Sequence, residues 1–173
     1  VNVRSAILPD ADGIRQLIDA HTGDGTLLPR SLPELCENIR DFVVVESDGV
    51  VVGCGALHLY GEHLAEIRSI AVYPDARGHG AGRLLVKALL REAARHRATC
   101  VCVFTRIPEF FAPFGFAVTH EPLPDKLYKD CRRCARRHAC DEIAMIRGPL
   151  PKMELPSTLA RIRRPIAWAG GGR

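Results

Sequence analysis

Ile70-Ala71-Val72-Tyr73-Pro74-Asp75-Ala76-Arg77-Gly78-His79-Gly80-Ala81-Gly82 is the stretch whose reading decides the fold of this chain. It starts as an apolar strand, breaks at Pro74 and passes through three alternating glycines into residues 83–96. There Leu84, Leu85, Ala88, Leu89 and Ala93 fall on one helical face. A helix start leaves backbone N–H groups unpaired, and the helix dipole adds positive potential, so such a turn is a natural cradle for a pyrophosphate. Gly78, Gly80 and Gly82 keep side chains out of the approach, while Arg77 and His79 offer charge and ring donors. Glycines also serve ordinary turns, so the surrounding elements have to supply the context.

Upstream of the turn, residues 3–8 predict a short strand. Pro9-Asp10 opens a helix with Ile14, Leu17 and Ile18 at helical spacing, ending near Gly23. A loop over 23–30 leads to Ser31, with Glu34 three residues on, which is the pattern of a capping box at a second helix. Strands over 42–46 and 50–59 are joined through Ser47-Asp48-Gly49, which is hairpin chemistry, and a further strand covers 64–72. Downstream, 100–105 returns as a buried strand, completing a strand–helix–strand crossover. Residues 108–114 predict a short helix ended by Gly115, followed by strands over 116–120 and 141–147. The fold class is therefore α/β, with strands and helices interleaved and one strand–helix–strand crossover.

The chain has 173 residues, 47% hydrophobic and 25% charged, which fits one globular domain over 1–147 with a basic extension over 148–173. That extension carries four prolines and a Gly-Gly-Gly end, a composition suited to a loosely attached or disordered tail. No run reaches the roughly 18 to 20 apolar residues of a membrane span, and the N-terminus lacks the regions of a signal peptide, so a cytoplasmic location and no membrane partner are expected. Seven cysteines, an odd number, do not form a secreted disulfide framework; Cys36, Cys54, Cys100 and Cys102 read as small buried hydrophobes. Residues 1–125 hold 12 Lys/Arg against 16 Asp/Glu, and residues 126–173 hold 12 against 4, so the net charge of +4 conceals an acidic body and a basic end. Basic ends are usually solvated, and nucleic acid is not the expected partner.

Two landmarks in order carry a family resemblance: Arg77-Gly78-His79-Gly80-Ala81-Gly82 after its strand, and Phe110-Phe111-Ala112-Pro113-Phe114-Gly115-Phe116. Together they resemble the GCN5-related N-acetyltransferase (GNAT) family, with its Arg/Gln-x-x-Gly-x-Gly/Ala loop and a short helix ending in Gly-Phe. The resemblance runs from about residue 3 to 147 and implies an α/β fold (α+β mixed sheet) whose mostly antiparallel central sheet, flanked by helices, is splayed between two strands to admit acetyl-CoA. Within that superfamily, four segments are similar to short N-acetylglutamate synthases: residues 27–31, 53–58, 65–72 and the stretch from Lys129 to Met145. This implies transfer of acetyl from acetyl-CoA to the α-amino group of L-glutamate, as in arginine biosynthesis. Another amino acid or amine as acceptor, or a non-catalytic cofactor- or nucleic-acid-binding module, remain as alternatives. A small amino-acid substrate is the expected partner, and a homodimer is compatible with the sequence.

The same resemblance implies direct transfer, with a free N–H of Ile70 or Val72 polarising the carbonyl and Ile70, Ala71, Val72, residues 77–82 and Phe111 lining the cofactor. Glu66 is the candidate base, because it lies on the strand leading to the loop; His58 and His63 are weaker candidates. Many relatives place a Tyr where this chain has Phe111, which cannot donate a proton to the departing thiolate; Thr105, Tyr128 or solvent are the substitutes. A dicarboxylic acceptor needs cationic groups, for which Arg30, Arg68 and Arg106 are candidates. Finally, Cys131, Cys134 and Cys140, with His138 between, offer three thiols and an imidazole. Zinc, a disulfide and reduced thiols are all open readings, and six basic residues from Lys126 to Arg137 are expected to favour thiolates.

Overall fold

The computed structural model describes residues 2–23, 25–135 and 137–150; of the extension expected over 148–173, residues 151–173 lie outside them. Seven strands form one sheet in the order β1-β2-β3-β4-β5-β7-β6. They are β1 (Asn2–Ser5), β2 (Phe42–Ser47), β3 (Val50–Gly61), β4 (Leu64–Val72), β5 (Val101–Thr105), β6 (Ala117–Val118) and β7 (Ile143–Arg147). All neighbours are antiparallel except β4 and β5. The mixed, mostly antiparallel sheet is thus as expected. Asp48 and Gly49 both take positive φ, at 52° and 80°, so the β2–β3 connection is the two-residue turn that matches the twist of its strands. No helix among the described residues is long and apolar enough to cross a membrane.

Helix α3 (Ala81–Arg95) covers one face, burying Val86, Leu89 and Ala93 against Leu57, Ala65, Ile67, Val101, Val103 and Met145. On the other face α1 (Ala11–Asp19) and α2 (Leu32–Glu37) press Ile14, Leu17, Ile18 and Leu35 onto Val44, Cys54, Ala56 and Ala71. Beside them Leu123 closes over Leu64, Cys100 and Cys102. Of the four thiols expected to be buried, Cys54, Cys100 and Cys102 are in the core, whereas Cys36 is half-buried at its edge, and burial pushes the Cys54 thiol up to about 12.

Several boundaries differ from the sequence reading for local reasons. The first strand stops at Ser5 because Asp10 accepts the Ile7 N–H at 2.8 Å and pairs with Arg4 at 2.7 Å, turning Leu8–Asp10 into a 3-10 turn. α3 starts two residues early, since Gly80 at φ 85° turns the chain straight into it. Helix α4 (Pro108–Phe111) gives way to a 3-10 turn over Ala112–Phe114, because Pro113 has no N–H to continue the α pattern. Strand β6 is short, as Glu121 N–H turns back onto Thr119 Oγ1. Helix α5 (Pro124–Lys129) was not anticipated. Ser31 Oγ accepts the Glu34 N–H at 3.3 Å, but Glu34 spends its carboxylate on Arg30, so the cap is one-sided.

The Arg4 guanidinium holds the buried Asp10 carboxyl below its usual range. A depressed folded-state value stabilises the fold at pH above the unfolded carboxyl value of about 4, and that contribution is lost as pH falls through the folded value. Urea unfolding from pH 7 down to pH 3 is expected to show Asp10→Asn less stable than the parent at pH 7, with the gap shrinking below about pH 4. A gap that stays constant over this range removes Asp10 as an acid-labile tie.

Candidate active site

The site is built where β4 and β5 part. They pair only through Ala65 with Val101 and Glu66 with Cys102, and beyond this β4 runs on to Val72 while β5 turns away to Thr105. The parting coincides with an irregularity in β4. Ser69 sits at φ 54°, and the register to β3 slips between Cys54 and Ala56. A bulge bends its strand and increases its twist, and a left-handed Ser costs on the order of 1–3 kcal/mol, which surrounding packing has to offset. Gly55 faces the bulge: a Cβ there would lie 3.0 Å from Leu89 Cδ1 and 3.2 Å from Ile70 Cγ1. The Tyr73 N–H bonds to Val52 O at 3.0 Å on the β3 side. By strand alternation the Val72 N–H, and Ile70 before it, point the other way, into the opening left by β5.

Below the opening lies the glycine turn. Gly78 and Gly80 have φ of 79° and 85°, and a Cβ on either would meet nothing within 4 Å, so the turn is open outward. Leu84, bonded to Gly80 O at 3.0 Å, is the first amide of α3 with a carbonyl partner among the described residues. Those of Ala81, Gly82 and Arg83 are the unpaired donors of the helix start. Gly82 has a different reason: a Cβ there would stand 3.2 Å from Phe110 Cζ, so it seats that ring. Arg77 is held in place, its Nη2 2.7 Å from His21 Nε2 and its Nε donating to Val72 O at 3.3 Å. His21 Nδ1 lies 2.8 Å from Leu17 O, so a neutral ring with hydrogen on Nδ1 satisfies both neighbours. His79 turns Nδ1 to Arg77 O at 3.0 Å and stays exposed. Phe111 is buried beside Phe116 in the core under α3, 6% exposed, with Phe110 edge-on at 5.0 Å.

On the face of α1, α2 and α5, Glu66 is the deepest carboxylate, 2% exposed. Its Oε1 takes a bond from Lys126 Nζ at 2.7 Å, and its Oε2 lies 2.7 Å from the Tyr60 hydroxyl. That hydroxyl is also 3.0 Å from Asp130 Oδ2, so one phenolic proton is shared by two carboxylates. Lys126 reaches Asp130 at 3.1 Å, and Arg68 lies 3.6 Å from the same oxygen. Burial works against the Lys126 ammonium, but Glu66 and Asp130 outweigh it and raise its pKa. Burial also opposes the Asp130 carboxylate, which Lys126, Tyr60 and Arg68 nonetheless hold below its usual range. Burial and the two carboxylates push the Tyr60 phenol far up.

Glu66 and Arg68 thus share a face and a site. Arg30 pairs with Glu34 along α2, and Arg106 bonds Asp141 at 2.7 Å and Gly25 O at 2.9 Å, tying the 23–30 loop to the approach to β7. Among the described residues no hydrogen bond or ion pair joins either to the Glu66 network. Thr105 stands at the end of β5, its Oγ1 accepting the Ile107 N–H at 3.0 Å. His58 accepts from Lys129 at 2.8 Å, His63 lies 2.9 Å from Asp125, and Tyr128 is exposed. Tyr60, Lys126, Asp130 and His21 were missed. Their only trace was the alternation of His58 with Tyr60 and the i,i+4 spacing of Lys126 and Asp130, which many solvated faces share.

The cysteine cluster requires correction. Among the described residues no three His, Cys, Asp or Glu side chains come together as a metal-ligand set. Cys131 and Cys134 are half-buried and Cys140 exposed, all with free thiols. Instead of being favoured as thiolate, Cys131 has its pKa raised, because burial outweighs the pull of Lys126.

Residues 15–116 match the acetyltransferase (GNAT) family. The chain is 40% identical to an uncharacterized N-acetyltransferase of Chlorobaculum tepidum over 146 residues, 84% of this chain and 94% of that protein. It is 43% identical over 117 residues to the amino-acid acetyltransferase of Mycobacterium tuberculosis, 66% of this chain and 67% of that one. Its fold superposes with a TM-score of 0.73, at 28% identity, on N-acetylglutamate synthase from Neisseria gonorrhoeae complexed with coenzyme A and N-acetyl-glutamate. That match covers 84% of this chain but only 34% of the longer Neisseria chain. Strands that part beside an open glycine turn suit an acyl donor with a narrow arm and an anionic head, and the chain belongs to the acetyltransferase (GNAT) family as an N-acetyltransferase.

Proposed function

We propose that the chain transfers acetyl from acetyl-CoA directly to the α-amino group of L-glutamate. The observation that carries this reading is a buried carboxylate, Glu66, beside a cation, Arg68, where β4 and β5 separate. The likeness to the Neisseria synthase and to amino-acid acetyltransferases supports the acceptor class.

Acetyl-CoA supplies the activated acyl group. The amides of residues 78–83, with Arg77 and His79, bind the pyrophosphate, and Ile70, Ala71 and Val72 flank the pantetheine arm in the opening. The Val72 or Ile70 N–H donates to the thioester oxygen and stabilises the oxyanion as the amine adds. Glu66 takes the proton from the amine, through Tyr60 or a water, and Lys126 holds its carboxyl group in position. Thr105 or solvent returns a proton to the departing sulfur. Phe111 packs the wall behind. Arg68, with Arg30 and Arg106 at the 23–30 loop, supplies charge for the acceptor carboxylates. The buried Cys54 and Cys102 thiols, both pushed up by burial, are poor nucleophiles, in keeping with transfer without an acyl-enzyme.

Thiol release from acetyl-CoA, measured across the free amino acids, tests this. Glutamate is expected to stand out, and Arg68→Gln is expected to raise its KM about tenfold, the loss of one charge-assisted contact. Preference for an amine without a side-chain carboxylate overturns the glutamate assignment.

A further inference from the structure

Asp130 is the one member of the Glu66 network that the transfer reaction leaves without a task. Its Oδ2 draws groups from three separate elements: it takes hydrogen bonds from Tyr60 on β3 at 3.0 Å and Lys126 on α5 at 3.1 Å, and forms an ion pair with Arg68 on β4 at 3.6 Å. Two cations and a phenol converging on one oxygen make a built carboxylate-recognition site, and the carboxylate in it belongs to the chain itself. The recognising groups are more buried than the group they hold, with side-chain exposures of 15% for Lys126 and 16% for Arg68 against 31% for Asp130. The pocket is thus rigid on the sheet side, and its occupant sits on the outer side.

The occupant is also weakly tethered. Asp130 follows the six-residue helix α5, which Leu123 at its start and the Lys126–Glu66 pair hold to the sheet, so the Asp130 side chain on the outer side is the part that can give way. The site lies one residue pair from Glu66, on the same sheet face, and the Asp130 carboxylate approaches the same Tyr60 hydroxyl that Glu66 uses.

We propose that Asp130 is a placeholder, holding in the free protein the position that a carboxylate of the amino-acid acceptor takes in the complex. Lys126, keeping its bond to Glu66, and Arg68 pass from Asp130 to the incoming carboxylate, and the Asp130 side chain at the end of α5 turns outward, which selects acceptors able to replace it. An acceptor with no carboxylate leaves Asp130 in place and leaves the amine short of Glu66. The inference rests on the acceptor being an amino acid, and it adds the specificity element that the reaction itself does not name.

The probe is glutarate, a dicarboxylate with no amine, titrated into the full chain with coenzyme A present and followed by calorimetry. Asp130→Asn, which keeps the shape but removes the competing charge, is expected to tighten glutarate about five- to tenfold. Arg68→Gln is expected to weaken it about tenfold, and thermal melts of both variants report whether the fold is intact. In turnover, Asp130→Asn lowers the acceptor KM by a similar factor while the KM for acetyl-CoA stays level. Weaker or unchanged glutarate binding in a folded Asp130→Asn protein overturns the placeholder, as does absence of glutarate binding in both proteins. An acceptor screen that favours another amino acid sinks the glutamate assignment alone, because the affinity change reads the carboxylate site whichever amino acid is acetylated.

Discussion

Glu66→Gln is expected to lower kcat about 10²- to 10⁴-fold, the usual contribution of a positioned general base, with little change in the KM for acetyl-CoA. The same substitution removes the buried partner of Lys126, 3% exposed on the Glu66 side, so a loss of stability is expected as well. Breaking a buried pair costs about 3–5 kcal/mol where the surviving ion is stranded. Here Asp130 still accepts from Lys126 at 3.1 Å, which brings the expected loss to the lower part of that range. The two effects are separable. Adding Lys126→Met to Glu66→Gln removes the stranded ammonium and is expected to recover much of the urea midpoint without restoring turnover. Recovery of rate along with stability shows that Glu66 only organises the site. A single variant with near-parental kcat removes it from proton transfer outright.

Gly80→Val is the second large effect, and it falls on the donor side. Gly80 stands at φ 85°, a conformation that a β-branched residue adopts at a cost of a few kcal/mol, and its Cβ direction is open to the approaching ligand. Strain and obstruction therefore act together on the helix-start amides. The KM for acetyl-CoA is expected to rise at least about tenfold with the acceptor KM unchanged. An equal rise in both constants points to collapse of the turn instead of loss of the phosphate cradle, and an unchanged acetyl-CoA constant places the pyrophosphate elsewhere.

The glycine turn proposed for the donor was readable in advance because its backbone geometry is local: a helix start, glycines at positive φ and the preceding strand are consecutive in the chain. The Asp48-Gly49 hairpin was legible for the same reason. The glycines were nevertheless read as one group, whereas the structure divides them: Gly78 and Gly80 supply backbone shape, and Gly82 makes room for a ring 28 residues later in the chain.

The acceptor side was only half legible. Strand alternation put Glu66 and Arg68 on one face, but it says nothing about what covers that face. Tyr60, Lys126 and Asp130 reach Glu66 from a neighbouring strand and from α5, a single helical turn with no apolar face of its own. Arg30 and Arg106 looked equivalent to Arg68 as isolated cations, yet each closes an ion pair away from the network. Three thiols and a histidine within ten residues looked like a ligand set, but the chain does not gather them among the described residues.

Order and spacing along the chain were enough for the β2–β3 hairpin, the crossover helix and the glycine turn, since each depends on periodicity and backbone conformation within a few residues. Tertiary packing alone set where β4 leaves β5, how deep Glu66 lies and which charges surround it. Those features arise from side chains far apart in sequence meeting in a medium where each unpaired charge is costly, and no single segment carries that condition.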